Sequence, residues 1–342
     1  MIRYLRRIVM STAKKMDDEI VDWLLEEENP SVRFWALQQL RGKKGTDAEV
    51  IAAQRAIMQS DCVKAILKAQ RPEGHWENRE SFYLPKYIAS THNLLILAEL
   101  GAEATTAIRR GVEHVFLFQR DSGHFLINIP KTEKGKASTM TDGCCIDGNI
   151  LYYLLHFGYL EDAHTKRLIQ FLVNDHSKDY GWRCRSYPID RNRVFPVNCY
   201  MGAVKALKGL SMIPKKDRSA EVSYVIQAET ESILSNQVYK YLRGPKGERK
   251  EKAGWKRFGF PLFYQSDVLE VLDVLTGLGA HDERMSDAVE LVEKARGPDG
   301  KWALKNTFNG KMLCNIDTKN QPSKWVTLRA VRVLKRWYQE HG

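Results

Sequence analysis

The 342-residue sequence predicts an all-α protein assembled from about five helix pairs, and three observations lead there. A Gly-x-aromatic turn recurs: Gln70-Arg71-Pro72-Glu73-Gly74-His75-Trp76, Gln119-Arg120-Asp121-Ser122-Gly123-His124-Phe125, Asp179-Tyr180-Gly181-Trp182, Arg296-Gly297-Pro298-Asp299-Gly300-Lys301-Trp302, and a weaker Ala253-Gly254-Trp255. Each turn is followed by an apolar stretch with helical spacing. The segments leading into the turns carry one apolar and one charged face. A period of some tens of residues is the signature of a repeat architecture, in which each unit buries its apolar face against its neighbours.

Taken in order, residues 1–59 read as a helical extension. It contains Asp18 to Leu25 and an Asn-Pro-Ser-Val-Arg-Phe-Trp segment, where Asn29 or Ser31 suits an N-cap beside Pro30. Residues 60–342 read as the repeat domain. Its buried helices are expected at Tyr87–Leu100, Cys145–Phe157, Cys199–Leu210, Asp267–Leu278 and Trp325–Trp337, apolar round much of their circumference. Outer, amphipathic helices are expected at Cys62–Ala69, Ala107–Phe118, Arg167–Asn174 and Ser286–Arg296.

With 43% hydrophobic and 28% charged residues the chain is too apolar for disorder. No stretch approaches the roughly 20 apolar residues that cross a bilayer, and the basic start is followed by too short an apolar run for a secretory signal. A cytoplasmic location is the expectation. Six cysteines in a chain of this length do not read as a disulfide framework. The net charge of +11 is concentrated in Lys240 to Lys256 and Lys131 to Lys136. These segments read as solvated loops, with a patch for a pyrophosphate, a membrane surface or nucleic acid as the functional alternative. Nucleic acid is not an expected partner, since no recognised binding motif accompanies the charge.

The Gln-x-x-x-Gly-x-Trp copies, each followed by a buried helix, resemble the repeats of squalene and terpenoid cyclases and of protein prenyltransferase β subunits. The resemblance covers roughly residues 60 to 338 and implies an α/α toroid, with inner helices round a central cavity and outer helices enclosing them. It also implies that Gln70, Trp76, Gln119, Phe125, Trp182 and Trp302 tie outer helices together. The Asn-Pro-Ser-Val-Arg-Phe-Trp segment and the ending Pro322-Ser323-Lys324-Trp325-Val326-Thr327-Leu328-Arg329 are similar to prokaryotic prenyltransferase-like or cyclase-like proteins.

In a toroid the inner helices run in one direction, so their N-terminal ends share one mouth. The residues there are Thr91 and His92, Asp142 to Asp147, Asn198 and Cys199, Gln265 and Asp267, and Ser323 to Trp325. Asp147, Asp267 and His92 are the candidate acid and base residues. The Asp-x-Asp-Asp run of protonating cyclases is absent: Asp142 and Asp147 stand apart, as do Asp267 and Asp273.

Asp142-Gly143-Cys144 matches the Asp-x-Cys zinc element of protein prenyltransferases, but the later histidine does not follow. A zinc site drawn from Asp142, Cys144 or Cys145, Cys184 and Cys199 competes with the reading of buried cysteines as small hydrophobes. The cluster Trp255, Phe258, Phe260, Pro261, Phe263, Tyr264 is where an apolar ligand wall is expected, although core packing explains it equally. The expected function is therefore an apolar central cavity for an isoprenoid or similar lipid, with metal-assisted prenyl chemistry as one extension. The alternative is a non-catalytic toroid that binds a lipid, a peptide or a protein.

Overall fold

The computed structural model describes residues 18–138, 141–178, 181–182, 199–243 and 248–339. Helix makes up 55% and strand 6%, which places the chain in the all-α class. A first helix, α1, spans residues 18–24. Pro30–Gln39 (α2), Ala48–Gln59 (α3) and Asp61–Ala69 (α4) follow. Two pairs come next: Ser90–Leu100 (α5) with Thr106–Phe116 (α6), and, after the short Glu133–Lys136 (α7), Cys144–His156 (α8) with Ala163–Asp175 (α9). Tyr200–Ser211 (α10) pairs with Ala220–Ser235 (α11), and Val268–Gly277 (α12) with Ser286–Lys294 (α13). Lys324–Gln339 (α14) ends the described chain.

The predicted division into apolar and amphipathic helices holds. Every residue of α5 is buried, whereas α6 buries Ile108, Gly111, Val112, His114 and Val115 and turns its arginines outward. The sequence reading omitted α11, which packs on α10 and α9 as an outer helix. Contacts among the buried helices run α5 to α8, α8 to α10, α10 to α12, α12 to α14 and α14 to α2. Trp35 of α2 then donates from Nε1 to the Glu99 carbonyl of α5 at 2.9 Å. The segment before residue 60, expected as an extension, thus shares one continuous hydrophobic core with the rest, from Ile20 to Val333.

The repeated turn has one grammar. The indole N–H of Trp76 donates to the Ile66 carbonyl at 2.7 Å, that of Trp182 to Leu172 at 2.9 Å, and that of Trp302 to Val292 at 2.7 Å. Each acceptor lies ten residues upstream, in the outer helix leading into the turn. Gln70 Nε2 donates to the Gly74 and Ala107 carbonyls, and Gln119 Nε2 to those of Gly123 and His164, all at 2.8 Å. Each glutamine therefore ties its own turn to the first turn of the next outer helix. Gly123 sits at φ +103°, and a Cβ there would stand 2.2 Å from the Arg167 carbonyl oxygen, so only glycine lets the turn lie against α9. Trp255, the weak fifth copy, instead stacks on Tyr200 with ring centroids 5.1 Å apart.

Glycine also governs the closest pair of buried helices. A Cβ on Gly148 of α8 would lie 2.4 Å from backbone atoms of Lys205 and Ala206 in α10, and one on Gly209 would lie 2.6 Å from the Gly148 carbonyl.

Two expectations change. The basic segment 240–256, read as loop, contains an antiparallel hairpin, Lys240–Arg243 (β1) with Glu248–Glu251 (β2), in which Lys240 faces Glu251 and Arg243 faces Glu248. Opposite charges at Lys240 and Glu251 support such a pair, a cue that a search for helical period alone misses. Cys62 and Cys314 are disulfide-bonded, joining α4 to the loop before α14 across 252 positions. Framework rules drawn from short secreted domains do not register a pair that the fold itself brings together. Among the described residues no helix is long and apolar enough to cross a membrane.

Candidate functional site

The starts of α5 and α8 do meet, as expected of helices running in one direction. They enclose a cavity of about 10 Å³ lined by Tyr83, Thr91, His92, Cys145, Asn149 and Phe263 among others. That is about one water's worth of space, so the gap between these two helix starts is plugged. The plug is aromatic. His92 lies 4.8 Å from the Tyr83 ring and 5.1 Å from that of Phe263, and Phe263 lies 5.1 Å from Phe308. Burial, with Lys86 adding to it, depresses His92 to about 3, which keeps the imidazole neutral. Phe260 of the expected aromatic wall stacks on Trp325 at 4.0 Å, as core packing.

The acids expected at the shared mouth hold backbone together. Asp147 is fully buried, accepting from Phe125 N at 2.9 Å and from Thr141 Oγ1 at 3.4 Å. It does for the Phe125 turn what Ser90 Oγ does for Trp76 N at 3.1 Å and Thr327 Oγ1 for Trp302 N at 3.0 Å. Asp267 caps α12, accepting from Glu270 N and Gly259 N, both at 2.8 Å. Asp142 accepts from Ile127 N at 2.9 Å.

Cys144 and Cys199 flank one glycine: a Cβ on Gly202 would stand 2.3 Å from Cys144 Sγ and 3.1 Å from Cys199 Sγ. Cys145 lines the small cavity beside His92. Among the described residues no three His, Cys, Asp or Glu side chains are grouped to hold a metal ion; Cys184 and Asn198 lie outside the described residues.

Burial raises Asp147 to about 8 against its ordinary 3.8, while the Phe125 and Thr141 hydrogen bonds oppose the rise. The folded state therefore keeps a proton that the unfolded chain loses, and stability falls as pH climbs from about 4 through about 8. Asp147→Asn retains an acceptor for Phe125 N. Urea titrations across that range should show a flatter pH dependence for the variant than for the parent, and identical slopes would refute the assignment.

A larger cavity, of about 210 Å³, lies towards the opposite ends of α5, α8 and α10. Trp35, Tyr152, Met212, Val274, Trp325 and Leu328 supply its apolar wall. Much of the rest is charged, where the sequence led to the expectation of an apolar interior. Lys205 of α10 bonds both oxygens of Glu270 on α12, at 2.7 and 2.6 Å. Lys208 joins Glu99 to Glu270, and Arg329 of α14 reaches Glu99 at 3.1 Å. Arg332 grips both oxygens of Asp273 and also bonds Gln39, while Arg336 Nη1 reaches Asp273 at 3.1 Å.

Burial works against the Glu99 carboxylate, yet Lys208 and Arg329 beside it hold it down at about 2. Glu270 and Asp273 are likewise held below the usual carboxylate range against burial, Glu270 by Lys205 and Lys208, Asp273 by Arg332 and Arg336. None of the candidates Asp147, Asp267 and His92 lines this cavity.

No protein-family model matches the chain, and no curated protein sequence matches it. Among solved structures, a protein from Actinoplanes is similar at 12% identity and TM-score 0.43, covering 90% of this chain and 89% of that one. A family 10 polysaccharide lyase from Cellvibrio cellulosa, with trigalacturonic acid bound, is similar at 15% identity and TM-score 0.37 over 68% and 82% of the two chains. The type II terpene cyclase MstE from Scytonema, with merosterolic acid A bound, is similar at 10% identity and TM-score 0.31 over 80% and 94%. Likeness of this degree assigns no residue a role.

Proposed function

We propose that the chain is an α/α toroid of terpenoid-cyclase-like kind that binds an isoprenoid or similar lipid-derived small molecule between its inner helices. The closed order of helix contacts and the QW-type turns support the toroid. One observation supports the ligand: a cavity of about 210 Å³ with Trp35, Tyr152, Met212 and Leu328 on one wall and convergent polar groups on the other. Binding fits better than acid-initiated cyclisation, because Asp147 and Asp267 are committed to backbone N–H groups.

The test is fluorescence titration with geraniol and farnesol, with Trp35 and Trp325 as reporters in the cavity wall. Leu328→Trp should fill the space and weaken binding at least about tenfold, about 1.4 kcal/mol. Tight binding that the filled variant retains, or no binding by the parent chain, would overturn the proposal.

A further inference from the structure

The ion pairs around the large cavity do not balance. Five cationic side chains, Lys205, Lys208, Arg329, Arg332 and Arg336, meet three carboxylates, Glu99, Glu270 and Asp273, among the described residues. Asp267, the next acid, spends both oxygens on backbone N–H groups but still acts on Arg329, and with it counted five cations face four carboxylates. An excess of cations in a largely buried cluster costs solvation unless an anion joins it.

The excess sits beside open space. Asp273 is gripped by Arg332 through Nε and Nη2, and Arg336 meets it only through Nη1, leaving Arg336 Nε and Nη2 outside that pair. Both guanidinium groups and Lys208 line the cavity. The Arg336 side chain is 35% exposed against 13% for Arg332, which places Arg336 on the solvent side. Arg329, Arg332 and Arg336 follow i, i+3, i+7 spacing, so one stripe of α14 supplies all three.

We infer that Arg332, Arg336 and Lys208 form an oxyanion subsite, and that Asp273 partly occupies it, so the carboxylate or phosphate group of a ligand competes with this built-in carboxylate. Guanidinium forks suit both oxyanions because two N–H groups meet two oxygens. The inference deepens the ligand proposal by adding a charged head to it, yet stands or falls separately, since an inorganic anion needs no apolar wall.

Calorimetric titration of the full chain with inorganic pyrophosphate and, in a second arm, with succinate distinguishes a phosphate from a carboxylate head. Asp273→Asn removes the competitor and should bind the preferred anion at least about tenfold more tightly than the parent. Arg336→Gln should bind it at least about tenfold more weakly, and Arg336→Lys should recover part of the loss. Melting curves of each variant, with and without the anion, report whether the fold is intact and whether the anion stabilises it.

If Asp273→Asn does not fold, the Arg336 pair decides alone. The subsite is overturned if neither anion binds to the parent chain or to Asp273→Asn, or if affinity is the same in folded Arg336→Gln. Pyrophosphate binding without farnesol binding would keep the subsite and remove the isoprenoid; farnesol binding without either anion would do the reverse.

Discussion

Glu270→Gln should lower the unfolding free energy by about 3 to 5 kcal/mol, the cost of removing one partner from a buried ion pair. Glu270 is 1% exposed and accepts from Lys205 at 2.7 and 2.6 Å and from Lys208 at 3.3 Å. Lys205 is fully buried, so the amide would leave its ammonium without the carboxylate that it bonds directly.

The pH dependence has a definite sign. Because the folded pKa of Glu270 lies below its ordinary 4.5, its contribution is present above that value and is lost as pH falls below it. Urea denaturation at neutral pH and again in acid should therefore show the gap between parent and variant closing on acidification. Replacing the pair together, Lys205→Met with Glu270→Leu, should recover most of the loss, because two apolar side chains need no partner. A single-variant cost below about 1 kcal/mol would mean that the pair is hydrated and not buried as described.

The fold was legible because its determinants are local and repeated. Trp76, Trp182 and Trp302 announce themselves at a fixed place after each outer helix, and Gln70 and Gln119 at a fixed place before each turn. The site was not legible in the same way. Attention to inner-helix starts singled out Asp147, Asp267 and His92, which the structure uses to hold turns, cap a helix and plug the gap between two helix starts. Polar residues at helix starts serve the backbone first, since the unpaired N–H groups there need acceptors.

The charged wall was missed because its members are spread over different helices that otherwise read apolar. Lys205 with Lys208 in α10, Glu270 with Asp273 in α12, and Arg329 with Arg332 in α14 are each three apart. A pair of charges at i, i+3 inside an otherwise apolar helix is a readable signal, since one face alone is then polar and must find a partner. What no spacing reveals is which pairs face each other from one helix to the next.

Trp302→Ala should cost about 3 to 5 kcal/mol from the cavity alone, and more from the carbonyl it orphans. The side chain is 1% exposed, its Nε1 donates to the Val292 carbonyl at 2.7 Å, and Arg296 lies 5.3 Å from the ring centroid. Its backbone is bound on both sides, donating to Thr327 Oγ1 at 3.0 Å and accepting from Ser323 N at 2.8 Å. One residue thus joins α13 to the start of α14, and through α14 to the arginine stripe.

Trp302→Phe separates the two contributions: it keeps most of the volume and deletes the indole N–H, so its cost should be nearer about 1 to 3 kcal/mol. Leu117→Ala, at a position 55% exposed, is the control and should stay within about 0.5 kcal/mol of the parent. Because Trp182 repeats the same bond to Leu172, Trp182→Ala should match Trp302→Ala within the scatter of large-to-small core changes. Equal urea midpoints for Trp302→Ala and Leu117→Ala would mean that the repeated turn does not hold the helix pairs together.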